Sequence, residues 1–251
     1  MKKRFILCVL TAIAVFAVAV GCSDTSIAPK DPGLSSAVDI DGLGIWYATE
    51  GTKAGTPQLA LGVLHNEVMR QLNLQFPYPY DPSKSAIDDI DATSKTAIQT
   101  RFPNYSSADY DSMLAMVRQF KVDGQFDLTL VLSGPEGDWW NGLLSACSGA
   151  TSSAAVRASV SAYGVEHGLP LPGTKLAYGV STLIHSADFW FDEVGIISKK
   201  NPWSAIMADA GGGMVGWNIG EKVGMFIGRP DAAAWGFLIG GICGSAGYLI
   251  G

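Results

Sequence analysis

From Ala208 to Gly244 every fourth residue is alanine or glycine: Ala208, Gly212, Gly216, Gly220, Gly224, Gly228, Ala232, Gly236, Gly240 and Gly244. Positions four apart lie on one face of an α-helix, so the ladder draws a smooth groove into which a second backbone can press. Ten consecutive hits in one phase would arise by chance roughly once in a thousand such windows. The ladder breaks once. Gly228-Arg229-Pro230-Asp231 places a helix-ending glycine, a proline and an N-capping aspartate in a row, which predicts two helices of about twenty residues joined by a tight turn. The seven glycines from Gly211 to Gly228 cost about 5–7 kcal/mol of helix propensity relative to alanine. Close packing has to offset that cost, either within one chain or against a neighbouring chain or lipid.

The remainder of the chain reads as mainly helical. Thr56-Pro57 supplies an N-cap and a first-turn proline, and Leu61, Leu64, Val68 and Leu72 keep helical spacing as far as Asn73. A second helix is spaced by Ile87, Ile90, Ser94, Ala97 and Ile98, ending before Pro103. Ser106 and Asp109 open a third in a capping-box pattern, with Tyr110, Met113, Leu114, Val117 and Phe120 on one face and Asp123-Gly124 as its stop. Phe126, Leu128, Leu130 and Leu132 alternate with other residues and predict a strand, although no second run of similar quality could pair with it. Gly134-Pro135-Glu136-Gly137 predicts a turn, and a helix follows over about Ser152 to Glu166. After the break at residues 168–173, Thr174 caps a long helix whose apolar stripe is Leu176, Val180, Leu183, Ile184, Ala187, Trp190, Phe191 and Val194. The expected architecture is a helical domain over residues 37–200 followed by a glycine-rich hairpin over 201–251.

The amino end carries an address. Lys2, Lys3 and Arg4 precede an uncharged apolar run from Phe5 to Val20, and Ala19-Val20-Gly21-Cys22 sets small residues before a cysteine. Sixteen residues make about 24 Å of helix against a ~30 Å hydrocarbon core, which argues for a signal rather than a span. Residues 1–22 resemble a bacterial lipoprotein signal peptide, with Ala19 where that family commonly has leucine. The resemblance implies cleavage before Cys22, acylation of its thiol and anchoring in a lipid bilayer. Ser23 and Asp24, in that order, imply the outer membrane by the same resemblance. Residues 23–36, broken by Pro29, Pro32 and Gly33, read as a flexible tether. Loss of Lys2, Lys3 and Arg4 from 17 basic residues leaves 14 against 23 acidic ones, a formal charge of −9. That balance disfavours nucleic acid as a partner. Cys147 and Cys243 are then the remaining thiols, open to pairing or to separate burial.

The ladder itself resembles a glycine zipper. Two-helix segments of this kind are similar to parts of membrane-active bacteriocins and of cell-envelope glycine-zipper proteins, which implies self-association, a membrane-protein partner or membrane insertion. Ala232 to Gly251 lacks any charge, but Asp209, Glu221 and Lys222 lie inside the first helix, each costing roughly 2.5–3.5 kcal/mol at a bilayer centre. A hairpin packed on the domain or sunk partly in lipid is therefore favoured over a full two-helix span.

No residue constellation names a reaction. His65, His167 and His185 are all the histidines. His185 with Asp188 and Asp192 could present an imidazole and two carboxylates to a metal, or form a solvated helix face. Asp39-Ile40-Asp41-Gly42 hints at a calcium loop, but Leu43 stands where a ligand is needed, and a plain turn is favoured. HExxH, paired CxxC, Walker and GxSxG patterns are missing from the sequence, so catalytic residues, cofactor and metal are assigned as none. The rival to a packing or membrane role is a surface receptor for sugar or peptide, using the rings of Tyr78, Tyr80, Trp139 and Trp140.

Overall fold

The computed structural model describes Ile27, Ile40, Leu43 and residues 61–76, 87–122, 125–132, 134–194, 202–229 and 231–250, with backbone alone for Ile87 and 247–250. Eight helices carry the described fold: α1 (Leu61–Gln75), α2 (Ile87–Arg101), α3 (Ser107–Arg118), α4 (Gly134–Cys147), α5 (Ser153–His167), α6 (Lys175–Ala187), α7 (Pro202–Ile227) and α8 (Ala232–Ile250). The chain is mainly α, as the sequence predicts. Cys22, Tyr78, Tyr80, the Thr56-Pro57 cap and the acids of the Asp39-Ile40-Asp41-Gly42 turn lie outside the described residues.

The caps work as the sequence requires. Ser106 Oγ accepts from the Asp109 N–H at 3.2 Å while the Asp109 carboxylate accepts from the Ser106 N–H at 2.7 Å, closing both ends of the capping box. Ser152 and Thr174 cap α5 and α6 through the N–H groups of Ala155 and Ala177. Past Ala187, α6 widens into a π-helical turn over Asp188–Glu193.

At the centre lies α8. Every residue from Ala232 to Ala246 is buried, packed on by α7, α1, α2 and α3. A helix apolar on all sides belongs inside a protein core or a bilayer. Here the protein supplies that cover, and the surfaces of α8 that a lipid-sunk hairpin would show to acyl chains are taken by neighbouring helices. No described helix is long and apolar enough to cross a membrane. One apolar core runs from Leu43 to Ala246, so no break separates the hairpin from the preceding helices.

The two hairpin helices run antiparallel with their backbones in contact. A Cβ built on Gly216 would strike the Gly236 carbonyl, one on Gly220 the Ala232 carbonyl, one on Gly240 the Gly212 carbonyl and one on Gly244 the Ala208 carbonyl. Gly228 is the exception among the ladder residues. It has φ +70° and open space around it, so it stops α7 in a left-handed turn instead of packing.

Cross-contacts fix the remaining directions. The ring of Tyr178 lies 4.5 Å from that of Trp217 while Ser186 bonds Asp209, so α6 is antiparallel to α7. Ser153 bonds Asp192, and Arg157 bonds Asp188, so α5 is antiparallel to α6. Asn66 bonds the His185 carbonyl and Arg70 bonds Glu193, so α1 is parallel to α6. One end of the bundle thus gathers the C-termini of α5 and α7 with the N-termini of α6 and α8. Ile27 pairs with Pro170 at this end, as an isolated bridge.

Three local expectations are corrected. The strand over 126–132 shrinks to a two-residue pairing of β1 (Lys121–Val122) with β2 (Gln125–Phe126). Asp127 then accepts from the Thr129 N–H and hydroxyl, and this local turn takes the backbone out of the sheet. α3 ends at Arg118 with Gln119 as its cap, ahead of Asp123-Gly124. The turn expected at 134–137 is the first turn of α4, where Pro135 has no helical hydrogen bond to lose.

Candidate functional site

The most unusual chemistry sits under the hairpin. Asp209, one residue past the ladder's Ala208, is fully buried. Its Oδ2 accepts from Ser186 Oγ at 2.5 Å and from Trp190 Nε1 at 3.0 Å, and its Oδ1 accepts from Ser245 Oγ. Four elements meet there. α6 brings Ser186, the π-helical turn swings Trp190 inward, α7 carries the acid and α8 brings Ser245. α1 adds His65, also fully buried, whose Nε2 stands 3.8 Å from Asp209 Oδ2. That is beyond hydrogen-bond reach, and Nε2 has no hydrogen-bond partner. His65 Nδ1 lies 3.2 Å from Asn66 Oδ1, while Asn66 Nδ2 donates to the His185 carbonyl at 2.5 Å. Two glycines make the room. A Cβ on Gly241 would sit 3.0 Å from the His65 ring, and one on Gly62 would sit 2.7 Å from the Ser181 carbonyl.

Burial pushes the Asp209 carboxyl above its ordinary range, against the opposing pull of His65 and of the bonds from Ser186, Ser245 and Trp190. Serine, histidine and aspartate are present together without forming a relay. Both serines donate to the acid, neither ring nitrogen of His65 bonds a serine, and all four side chains are closed to solvent. The cluster can hold a proton or a charge in the core and tie four helical segments to one carboxyl, with His65 of α1 packed beside it.

Compared with family models, curated proteins and solved structures, the chain matches none.

The aromatic pair expected to bind sugar or peptide is corrected. Trp139 and Trp140 are core residues, exposed by only 5% and 1%. Trp139 donates to the Gly168 carbonyl at 3.0 Å and meets Tyr163 edge-on, so neither ring offers a face to a ligand. The His185 set is also accounted for. His185 Nδ1 is 3.5 Å from Asp188, whose carboxylate is held by Arg157, and Asp192 accepts from Ser153. Among the described residues no three His, Cys, Asp or Glu side chains are grouped to share a metal.

Cys147 and Cys243 are unpaired and buried separately. Burial pushes the Cys147 thiol up to about 11 and raises Cys243 as well. Neither thiol should react with Ellman's reagent at pH 8 in the folded protein, and both should react in denaturant.

Sequence reasoning read Asp209 as an obstacle to membrane insertion and missed its cluster. The available signal was that Asp209 is the single charge between Pro202 and Gly220, a stretch otherwise suited to a core. A lone acid there calls for buried donors. His65 on the apolar face of α1 was the matching sign.

Proposed function

We propose that this chain is a lipid-anchored protein of the bacterial cell envelope, held at its membrane through acylated Cys22, whose hairpin makes its close helix packing in cis. The facing ladders support the reading. The grooves that a glycine zipper would offer to a second copy or a membrane protein are filled by carbonyls of the same chain, at Gly212 against Gly240 and at Gly216 against Gly236. The hairpin is then the internal frame on which α1, α2, α3 and α6 pack, with α5 joined through α6 and α4 through α5, and association with other molecules falls to the outer surface. A receptor reading through Trp139 and Trp140 loses its rings to the core.

Expression with the native signal, followed by membrane fractionation and mass analysis of the N-terminal peptide, tests the anchor. The expected result is a peptide beginning at acylated Cys22 in the membrane fraction, with Cys22→Ala lacking the acyl groups. An unmodified Cys22 in the wild-type chain defeats the proposal. Sedimentation in mild detergent tests the cis packing. A monomer is expected, and a dimer built by exchange of hairpins overturns it.

A further inference from the structure

Among the described residues eight large apolar side chains are exposed: Leu74, Val122, Leu130, Val165, Leu171, Met225, Phe226 and Ile227. Five of them share one end of the bundle. Met225, Phe226 and Ile227 form the last turn of α7, with the first two exposed by 73% and 76%. Leu171 precedes the N-terminus of α6, and Val165 lies in the last turn of α5. The antiparallel pairings of α5 with α6 and of α6 with α7 bring these three termini to the same end of the bundle, where the last turn of α7 reaches beyond the other two. Leu74 closes α1 at the opposite end, beyond the Arg70–Glu193 pair. Val122 and Leu130 lie toward that end as well, beside Lys121 bonded to the Cys243 carbonyl and Leu128 packed at Gly211.

The same end receives the chain from Cys22. Ile27 is pinned to Pro170, one residue from Leu171. Ile27 stands five positions after Cys22, and a fully extended chain over five positions spans at most about 17 Å. The bundle is much longer: the 26 residues of α7 rise roughly 39 Å. An acyl group on Cys22 therefore reaches a membrane only from the end that carries Met225 and Phe226. The described charges there carry no net positive excess: Lys175 pairs with Glu136 and Arg229 with Asp231, Lys222 follows Glu221 in the sequence, and Glu166 adds a further acid. Attraction to anionic headgroups is not what this surface offers, while apolar side chains at the level of an anchor are what a bilayer interface accepts.

We infer that this end of the bundle, led by Met225, Phe226 and Leu171, seats in the lipid leaflet that holds the acyl chains of Cys22. The inference rests on the proposed acylation of Cys22, and it fixes the orientation of the domain: the hairpin turn faces the membrane and the C-termini of α1 and α8 face away.

The test uses the full lipidated chain in phosphatidylcholine vesicles containing acyl-brominated lipid. Phe226→Cys, Leu171→Cys and Leu74→Cys each place one environment-sensitive fluorophore at an exposed position, since Cys147 and Cys243 are buried. The labels at 226 and 171 should lose about half their emission to the bromines, as befits side chains seated ~5–10 Å into the boundary, while the label at 74 keeps its own. If the protein is acylated and membrane-bound but 226 and 171 are quenched no more than 74, the seating is wrong and the anchor stands. If the N-terminal peptide carries no acyl group, both the anchor and the seating fall.

Discussion

Gly216→Ala and Gly240→Ala are each expected to lower the melting temperature by about 6–12 °C, whereas Gly211→Ala should leave it unchanged or raise it slightly. All three replace a buried helical glycine, and on propensity alone each should gain about 1 kcal/mol. What separates them is the neighbour of the new methyl. At Gly216 it meets the Gly236 carbonyl, and at Gly240 the Gly212 carbonyl. A backbone in the middle of a packed helix cannot turn aside as a side chain can, so α7 and α8 must separate along their length. Overpacking of this kind stands at the top of its usual range, about 3 kcal/mol net, and each kcal/mol moves the midpoint by about 2–4 °C at this chain size. At Gly211 the methyl would stand 3.7 Å from Leu128 and Phe126, an ordinary contact. Thermal melts by circular dichroism decide the matter, and equal shifts at the three positions would contradict backbone-to-backbone packing.

That contrast follows from a feature legible in the sequence. The period of four sets which glycines face a partner, and Gly228-Arg229-Pro230-Asp231 sets where the chain turns back. Helix α3 was equally legible, because Ser106 and Asp109 state both halves of a capping box. The alternation from Phe126 to Leu132 misled because a strand exists only with a partner, and Asp127 and Thr129 preferred a local turn. Helix α4 was hidden behind Gly134 and Pro135, residues that open a helix as readily as they make a turn. Trp139 and Trp140 show the same ambiguity: a large ring can stack on a ligand or fill a core, and only the surrounding helices decide. The apolar end was beyond sequence reach. It depends on α5, α6 and α7 meeting at one end of the bundle, and no local pattern records that.

The buried acid leads to the second large effect. Asp209→Ala should destabilise the fold by about 4 kcal/mol, since it leaves the hydroxyls of Ser186 and Ser245 and the Trp190 N–H without their acceptor in the core. Asp209→Asn keeps one acceptor oxygen and the side-chain volume, so its loss should be smaller, and it removes the titration. The pH dependence then isolates the carboxyl. Burial raises the Asp209 pKa in the folded state above that of the unfolded chain, so the native state binds this proton more tightly. Its stabilising contribution is complete below the unfolded carboxyl value of about 3.9 and is lost as pH rises through the raised native value. The stability of the wild-type chain relative to Asp209→Asn should therefore grow on acidification from neutral pH, at no more than about 1.4 kcal/mol per pH unit for one proton. A relative stability that instead grew with alkali would mean that the three donors and His65 outweigh burial. Replacing His65 with glutamine removes the imidazole that stands 3.8 Å from Asp209 Oδ2. Because His65 pulls the carboxyl down, the variant should show the same acid-side gain displaced toward higher pH, a shift that loss of packing at His65 alone would not produce.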